Sequence, residues 1–381
     1  MKVYNNFDDT TSKLAKFFLK ISNNIAKPQA RNLAYLVISA IDSNSIINSE
    51  LASSFKNNLS LNKPESNEKR IFRFLHNSNF NENLFFNDLI KYIFTNYKKK
   101  HKDGTIFIAI DHTFNRDDFV TLVITYVIGK QSIPIYFKCY DCSIDNNAFD
   151  TDTIVDAIKN VRNYFNDNNI TFLADRWFDN PAFLKTFDEM NVHYAFRTKT
   201  NKNVSLDNGE SFISLSDIKS WKIHPRYFND IIFSESTRYK TNLVISPNQD
   251  TDDPWYILTN DNPNKAIKYY GKRFGGIECN FKNQKTNGFF LEKTTTRNID
   301  VFSKKFAITS IAIIFLTILG CDYSRNKTHS KYNFYDTYKS SKTGKFIRKI
   351  SFFALGKKIF KYAYNSFNNY KLKFNFILYD V

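Results

Sequence analysis

The spacing of apolar residues divides the chain into segments of different secondary structure. From about residue 9 to residue 100, apolar side chains recur every three or four positions, as at Leu14, Phe17 and Ile21. This is the period of an amphipathic helix that buries one face. The pattern therefore predicts an all-helical N-terminal domain over residues 1–100.

A strand pattern replaces the helical one between residues 104 and 198. Three adjacent apolar runs, TIFIAI, FVTLVITYVI and IPIYFKCY, precede helical segments that alternate with the runs ITFLAD and VHYAFRTK. This order predicts an α/β domain over residues 101–322. Residues 200–258 favour strands and contain turn-rich segments, so we interpret them as a strand-rich insertion in that domain.

Helical patterns return over residues 263–285 and 301–320. The longest apolar run, FAITSIAIIFLTILG, is shorter than the ~20 residues that a membrane-spanning helix needs. It predicts a buried core helix and no membrane partner.

Beyond it, residues 323–381 form a predicted basic C-terminal region, whose charge suits contact with a polyanion that does not depend on sequence. The basic residues in question are Lys327, Lys331, Lys339, Lys342, Lys345, Arg348 and Lys349.

Composition indicates the kind of partner, but of the fold it says only that the chain is globular. Hydrophobic residues make up 42% of the 381 residues, which excludes a disordered chain. The formal net charge of +17 favours a polyanionic partner, either nucleic acid or an anionic membrane, although biased codon usage gives the same excess of Lys. The N-terminal segment MKVYNNFDDTTS has no apolar stretch of the kind a secretory signal requires, so a cytoplasmic location is expected. The four cysteines lack zinc-finger spacing and are expected to be free thiols.

Two carboxylates follow predicted strands. Asp111 comes after TIFIAI and Asp175 after ITFLA, so each is expected where an apolar strand ends. If the two strands are neighbours, the acids converge. Such a pair can hold two metal ions about 3.5–4 Å apart, which suits phosphodiester transfer, and carboxylate oxygens select Mg²⁺ or Mn²⁺. An Asp in this position also commonly caps a helix, so a third acid is needed to distinguish a metal site from two helix caps.

Glu278 supplies the third carboxylate. It lies in YYGKRFGGIECNFKNQK, and Lys285 follows seven positions later, which is two helical turns and therefore the same face. Tyr270 and Arg273 precede it in the same segment. Glu292, in FFLEKT, is the rival third acid, and it ranks second because it follows the helix that carries Lys285.

This segment resembles the signature of the DDE transposases of insertion sequence family four. The family signature is Tyr, two residues, Arg, three residues, Glu, six residues, Lys. The first and last intervals agree here, but four residues separate Arg273 from Glu278. The departure coincides with Gly275 and Gly276, and we predict a π-bulge or a helix break at this pair. The segments IAIDHT, LADRWF, YAFRTK, KTNGFFLEKT and ISFFALGKKIF also resemble family blocks in family order, over roughly residues 67–360.

The resemblance implies a ribonuclease H-like catalytic core and a magnesium-dependent transposase. Asp111, Asp175 and Glu278 would be the catalytic triad and would hold two Mg²⁺ ions, with Mn²⁺ able to substitute. Water would attack a phosphodiester at the transposon end, and the freed hydroxyl would attack a second phosphate. Tyr270, Arg273 and Lys285 would hold the DNA end. The implied partners are double-stranded transposon ends and target DNA, bound by a homodimer on paired ends in the nucleoid.

Further residues are candidates for contact with DNA. Arg70 and Arg73 lie three apart in NEKRIFRFL and are predicted to face DNA from the N-terminal domain, although a solvated basic face explains them nearly as well. Trp177 and Trp255 are candidates for stacking on an unpaired base, against an ordinary packing role. His112 is left out of the catalytic set because a histidine beside a functional acid is more often a neighbour than a base.

Two alternatives to a transposase stay open from the sequence. One is a catalytically inactive or domesticated DNA-binding protein of the same fold, and the other is a stand-alone DNA nuclease.

Overall fold

The protein is described here by a computed structural model. It describes residues 5–55, 64–97, 104–144, 147–166, 169–221, 223–247, 253–325, 337–339, 341, 344, 346–348, 350–365 and 376–378.

The N-terminal third is helical in its described part. Leu14, Phe18 and Leu33 are fully buried, as expected for the inward faces of amphipathic helices. The elements are α1 (Asn5–Ile21), α2 (Lys27–Ser43), α3 (Asn48–Ser53), α4 (Pro64–Leu75) and α5 (Glu82–Thr95).

A large mixed sheet follows these helices. Its strands are β1 (Ile106–Asn115), β2 (Phe119–Ile128), β3 (Gln131–Asp141), β4 (Ile170–Ala174), β5 (His193–Arg197), β6 (Asn203–Ser205), β7 (Ile213–Ser214), β8 (Arg226–Phe233), β9 (Tyr239–Ser246) and β10 (Trp255–Thr259). The spatial order is β3-β2-β1-β4-β5-β10-β9-β8-β6-β7. β1, β2 and β3 are antiparallel, whereas β4 is parallel to both β1 and β5. This mixed α/β fold is consistent with the ribonuclease H-like core that the resemblance implies.

The strand-rich residues 200–258 extend the same sheet. β10 pairs antiparallel with β5, and β9, β8, β6 and β7 continue outward from it. The β5 edge of the core is therefore covered by further strands, which satisfies backbone groups that would otherwise be left unpaired.

Within the described residues, six more helices pack around the sheet or close the fold. They are α6 (Thr151–Arg162), α7 (Pro181–Glu189), α8 (Pro263–Tyr270), α9 (Lys272–Gln284), α10 (Ile299–Arg325) and α11 (Phe352–Asn365), and a separate two-stranded ladder pairs β11 (Thr337–Lys339) with β12 (Phe346–Arg348).

Helix α10 is the buried core helix that the apolar run predicted. Within the described residues it is long and apolar enough to span a membrane, with a mean hydropathy of 1.9 over an 18-residue window, but 89% of that window is buried inside the protein. It contacts α2, α5, β3 and α11, so protein rather than lipid covers it. Helix α11 crosses it closely because Gly320 lies against the Phe352 backbone and Gly356 against the Leu316 backbone.

Only part of the predicted basic C-terminal region can be placed. Lys339 is exposed on β11. Arg348 lies on β12. Lys327, Lys331, Lys342, Lys345 and Lys349 lie outside the described residues.

Candidate active site

Strand register brings the first two acids together. β1 and β4 are parallel neighbours, and Ile110 pairs with Ala174 as the last pair of their ladder. Asp111 follows Ile110 on β1, and Asp175 follows Ala174 at the end of β4. The predicted convergence of these two carboxylates therefore follows directly from the pairing of their strands.

The prediction that β1 ends at Asp111 is wrong. β1 continues to Asn115, and its antiparallel pairing with β2 runs to the pair Asn115–Phe119. The physical reason is that β2 still hydrogen-bonds β1 where β4 has already turned away at Asp175. Asp111 thus lies within a strand, at the point where that strand loses one of its two neighbours.

Helix α9 adds the third acid and a basic residue. The Arg273 guanidinium places Nη2 at 2.5 Å from Asp111 Oδ2 and 3.7 Å from Asp175 Oδ2. Its Nη1 lies 3.1 Å from Glu278 Oε1. One guanidinium therefore makes ion pairs with all three predicted catalytic acids, and the Arg273 side chain is only 6% exposed.

The donor set suits a hard divalent cation, but Arg273 lies between the donors. Among the described residues, no group of three or more His, Cys, Asp or Glu side chains is close enough to hold a metal ion as arranged. Three half-buried carboxylates within reach of one group are nevertheless the oxygen ligands that Mg²⁺ and Mn²⁺ prefer. The residues fit such ions once the guanidinium is moved aside.

Burial and neighbouring charges shift the pKa of Asp111, the acid that lies within β1. Burial raises the pKa of Asp111 to about 6, while Arg273 and the His112 backbone N–H oppose the increase. The neighbouring carboxylates of Asp175 and Glu278 raise it further. The charge of Asp111 therefore depends on whether a cation lies beside it.

The predicted π-bulge or break at Gly275 and Gly276 is wrong. α9 is a regular α-helix through both glycines, and the interruption lies at Gly271, between α8 and α9. The interval with the extra residue, from Arg273 to Glu278, therefore lies wholly within regular helix, and the interruption falls between Tyr270 and Arg273, where the spacing agrees with the family. Arg273 points at the acids from the first turn of α9.

Close packing explains the two glycines. A Cβ on Gly275 would stand 3.1 Å from the Lys130 Cα, and one on Gly276 would stand 3.1 Å from Val127 Cγ2. Both contacts are tighter than ordinary van der Waals distances. The glycines let α9 approach the β2–β3 hairpin, and this approach sets the height of Glu278 above the sheet.

The remaining signature residues lie in different surroundings. Tyr270, at the end of α8, is fully buried against Trp255 and Phe274. The half-buried Lys285 donates a hydrogen bond from Nζ to the Phe114 carbonyl at 2.8 Å, beyond Asp111 on β1.

The rival acid is separate from the triad. Glu292 lies in the 3-10 turn Leu291–Lys293 and contributes to the electrostatic environment of Lys285. No ion pair within the described residues joins Glu292 to Arg273, which pairs instead with Glu278.

The two arginines of α4 differ in accessibility. Arg70 donates from Nε to Asn32 Oδ1 at 2.8 Å, and its guanidinium lies 4.5 Å from the centre of the Tyr35 ring. Arg73 is exposed. Of the pair, Arg73 is the one free to meet a partner without first breaking contacts to α2.

Three exposed aromatic rings form a ridge on the face of β1 that carries His112, opposite to Asp111. Trp177, two residues after Asp175, is 68% exposed, and Phe114, three residues after Asp111, is 51% exposed. Phe149 lies between them, with ring centroids 5.8 Å from Trp177 and 6.2 Å from Phe114. Sequence reasoning missed Phe114 and Phe149, although an aromatic residue just beyond a strand-borne acid is a usable signal. Trp255, the other tryptophan considered, packs against Tyr270 instead.

His112 serves the structure beneath this aromatic ridge. Its ring stacks on Phe178 at 5.3 Å, and Nε2 lies 2.7 Å from the Ala148 carbonyl. Burial lowers the pKa of His112, so the ring is neutral and its Nε2–H donates to that carbonyl. It faces away from Arg273, because consecutive residues of a strand point to opposite sides.

Residues 129–315 match the family model of the transposase DDE domain. The protein is a DDE transposase. The matched segment runs from the β2–β3 turn into α10 and contains Asp175, Arg273, Glu278 and Lys285. Asp111 precedes the match, and strand pairing alone places it beside Asp175. No curated protein matches the chain.

Membership in this class defines the general activity of the transposase. It is an enzyme that binds DNA and acts in DNA cleavage and strand transfer. DDE transposases generally use divalent metal ions, in agreement with the donor set described above.

Proposed function

We propose that this transposase cleaves DNA at transposon ends with Asp111, Asp175 and Glu278 as its catalytic acids, and that it belongs to the family-four group with the Tyr-Arg-Glu-Lys signature. The observation that carries the proposal is the convergence of these acids on one guanidinium. They come from β1, from the residue after β4, and from α9, so their meeting is a property of the tertiary fold. Structural capping of a single Asp would not bring all three together.

The three carboxylates would hold two Mg²⁺ ions, which supply activation of the attacking oxygen and stabilisation of the leaving oxygen, with Mn²⁺ as a substitute. The protein's own contribution is placement. β1 and β4 fix two carboxylates through backbone pairing, and α9 fixes the third through its packing on the hairpin. Positioning of this kind is what phosphoryl transfer needs most.

The DNA end would lie along the edge that carries Lys285 and the aromatic ridge. Arg273 supplies positive charge at the acids, and Lys285 supplies it farther along β1, at the Phe114 carbonyl. The Lys199 ammonium lies 5.3 Å from the centre of the exposed Trp177 ring. Phosphates suit the cations and an unpaired base suits the rings. Tyr270 would act from the protein interior by supporting Trp255 and Phe274, and not by direct contact.

Arg73, with Arg70 behind it, would extend this interface to the N-terminal helices, and the basic C-terminal region would add contacts to any DNA backbone. Assembly as a homodimer on paired ends in the cytoplasmic nucleoid follows from the same proposal.

The test is a cleavage and joining assay on DNA that carries the ends of the element. Asp111→Asn, Asp175→Asn and Glu278→Gln should each abolish both reactions while leaving DNA binding intact, because each change removes a metal ligand. Glu292→Gln is the matched control and should cut normally.

Three outcomes of this assay separate the alternatives. Cutting without joining would identify a stand-alone nuclease. An inactive wild-type protein that still binds the ends would identify a domesticated DNA-binding protein. A dead Glu292→Gln variant beside an active Glu278→Gln variant would replace the third acid.

A further inference from the structure

Arg273 occupies the centre of the carboxylate cluster. Its two terminal nitrogens lie at 2.5, 3.7 and 3.1 Å from Asp111, Asp175 and Glu278. Among the ion pairs of the described residues, Arg273 is the cation that these acids share. A guanidinium in this position fills the space that bound cations would need.

We propose that Arg273 is an internal counter-ion, which holds the metal-free triad together and is displaced when divalent ions bind. Arg273 and the ions would then compete for the same carboxylates. The proposal rests on the proposed function, because it takes these acids to be the metal ligands.

Electrostatics explains why the metal-free protein needs such a group. Three carboxylates at this separation repel one another, and two of them, Asp111 and Asp175, are held together by strand pairing whether or not a cation is present. The guanidinium neutralises one of the three charges and hydrogen-bonds to Asp111 and Glu278. It therefore stabilises the folded site before any metal or DNA arrives.

The same charges explain why the guanidinium leaves. The acids with Arg273 carry a formal charge of −2, so one divalent ion would bring the site to neutrality, but it would have to take carboxylate oxygens from the guanidinium. A second ion with Arg273 still in place leaves +2. Without Arg273 the acids and two ions carry +1, which one phosphodiester balances. Charge balance with the substrate thus favours two ions and a displaced arginine.

The attachment of Arg273 permits such a displacement. It is the second residue of α9, directly after the helix interruption at Gly271. Its Nε has no hydrogen-bond partner, so within the described residues the head group is held by its terminal nitrogens. Rotation of the side chain breaks those ion pairs and leaves α9 in place. The freed guanidinium has the planar fork that binds a phosphate, which connects this role to the predicted contact with the DNA end.

Mn²⁺ binding to the full chain without DNA tests the proposal by isothermal titration calorimetry. Arg273→Gln should bind Mn²⁺ at least about tenfold more tightly than the wild type, because the competing cation is gone. Arg273→Lys, which keeps the charge but not the fork, should lie between the two. The matched control is Arg197→Gln, since Arg197 is also a partly buried arginine but pairs with Asp253, outside the triad. The control should bind Mn²⁺ like the wild type.

Thermal unfolding supplies a second measurement on the same variants. In EDTA, Arg273→Gln should melt below the wild type, and saturating Mn²⁺ should raise its melting temperature by more than it raises that of the wild type. If Arg273→Gln does not fold in EDTA, Arg273→Lys carries the comparison.

Equal or weaker Mn²⁺ affinity in Arg273→Gln, or in Arg273→Lys where that variant carries the comparison, overturns the counter-ion proposal. Asp111→Asn distinguishes this failure from failure of the proposed function. If Asp111→Asn loses both Mn²⁺ binding and cleavage while the affinity of Arg273→Gln is unchanged, the triad stands and the counter-ion is wrong. If Asp111→Asn binds Mn²⁺ and cuts DNA like the wild type, the proposed function itself is wrong.

Discussion

The two sides of the candidate site are positioned by different physical means. Asp111 and Asp175 are placed by the parallel pairing of β1 with β4, in which each backbone hydrogen bond fixes the register. Glu278 and Arg273 are placed by a helix, and its rotation depends on where it starts and on how closely it approaches the sheet. We therefore expect the strand-borne acids to tolerate changes elsewhere in the chain better than the helix-borne groups do.

Deletion of Gly276 should have the largest effect. Because α9 is regular through this position, the deletion rotates everything before it by about 100° relative to Glu278. Arg273 then leaves the acids, and the contact with the hairpin is lost. We expect cleavage to fall by at least about 100-fold, the scale of small misplacements in active sites.

Deletion of Gly209, in a turn between β6 and β7, is the matched control and should retain most of the activity. Preserved or increased cleavage after deletion of Gly276 would mean that α9 can be broken at the glycines after all.

Asp111, on the strand side of the site, should make the stability of the metal-free protein depend on pH. The pKa of Asp111 is raised from 3.8 to about 6, so its protonated form favours the folded state. This contribution is complete below the unfolded pKa and is lost as pH rises through about 6, at a cost of roughly 3 kcal/mol.

Denaturant unfolding of the wild type and of Asp111→Asn in EDTA between pH 4 and pH 7 measures this loss. The wild type should lose stability relative to the variant across that interval. A constant difference between the two would contradict the burial of Asp111.

Gly275→Ala should destabilise the protein although alanine favours helices. The added Cβ would stand 3.1 Å from the Lys130 backbone, which cannot move like a side chain end. We expect a loss of about 1–3 kcal/mol in the free energy of unfolding. Lys282→Ala, at an exposed position of α9, should be neutral within about 0.5 kcal/mol. An increase in stability for Gly275→Ala would remove the close-packing explanation.

Substitutions of the two α4 arginines should have the smallest effects, on DNA binding for Arg73 and on stability for Arg70. Arg73→Ala should weaken binding to the transposon end by about 1–3 kcal/mol with little change in stability. Arg70→Ala should cost about 0.5–1 kcal/mol of stability through its lost contacts with α2. Filter binding on end-containing and random DNA, together with thermal unfolding, separates the two. Equal losses on both DNAs would remove the recognition role of Arg73.

The positions of Asp111 and Asp175 were predictable because apolar runs mark strands, and an acid directly after such a run lies near the edge of the sheet. The position of Asp111 within β1 was not predictable, because it depends on β2 continuing to pair after β4 has turned away. Local sequence also could not locate the helix interruption. Gly271, Gly275 and Gly276 are equally permissive, and only the contact with Lys130 and Val127 shows which of them are needed for packing. The contact of Arg273 with all three acids required the tertiary fold.

Helix α10 has a consequence for biosynthesis. A ribosome completes α10 at Arg325 and begins α11 only at Phe352. Because α11 is complete only at Asn365, one face of the largely apolar α10 is left uncovered for roughly two to eight seconds at ~5–20 residues per second. Surface of this kind recruits chaperones and nucleates aggregates. Because the two helices cross closely at Gly320 and Gly356, we expect the yield of folded transposase to depend on how soon α11 follows α10 from the ribosome.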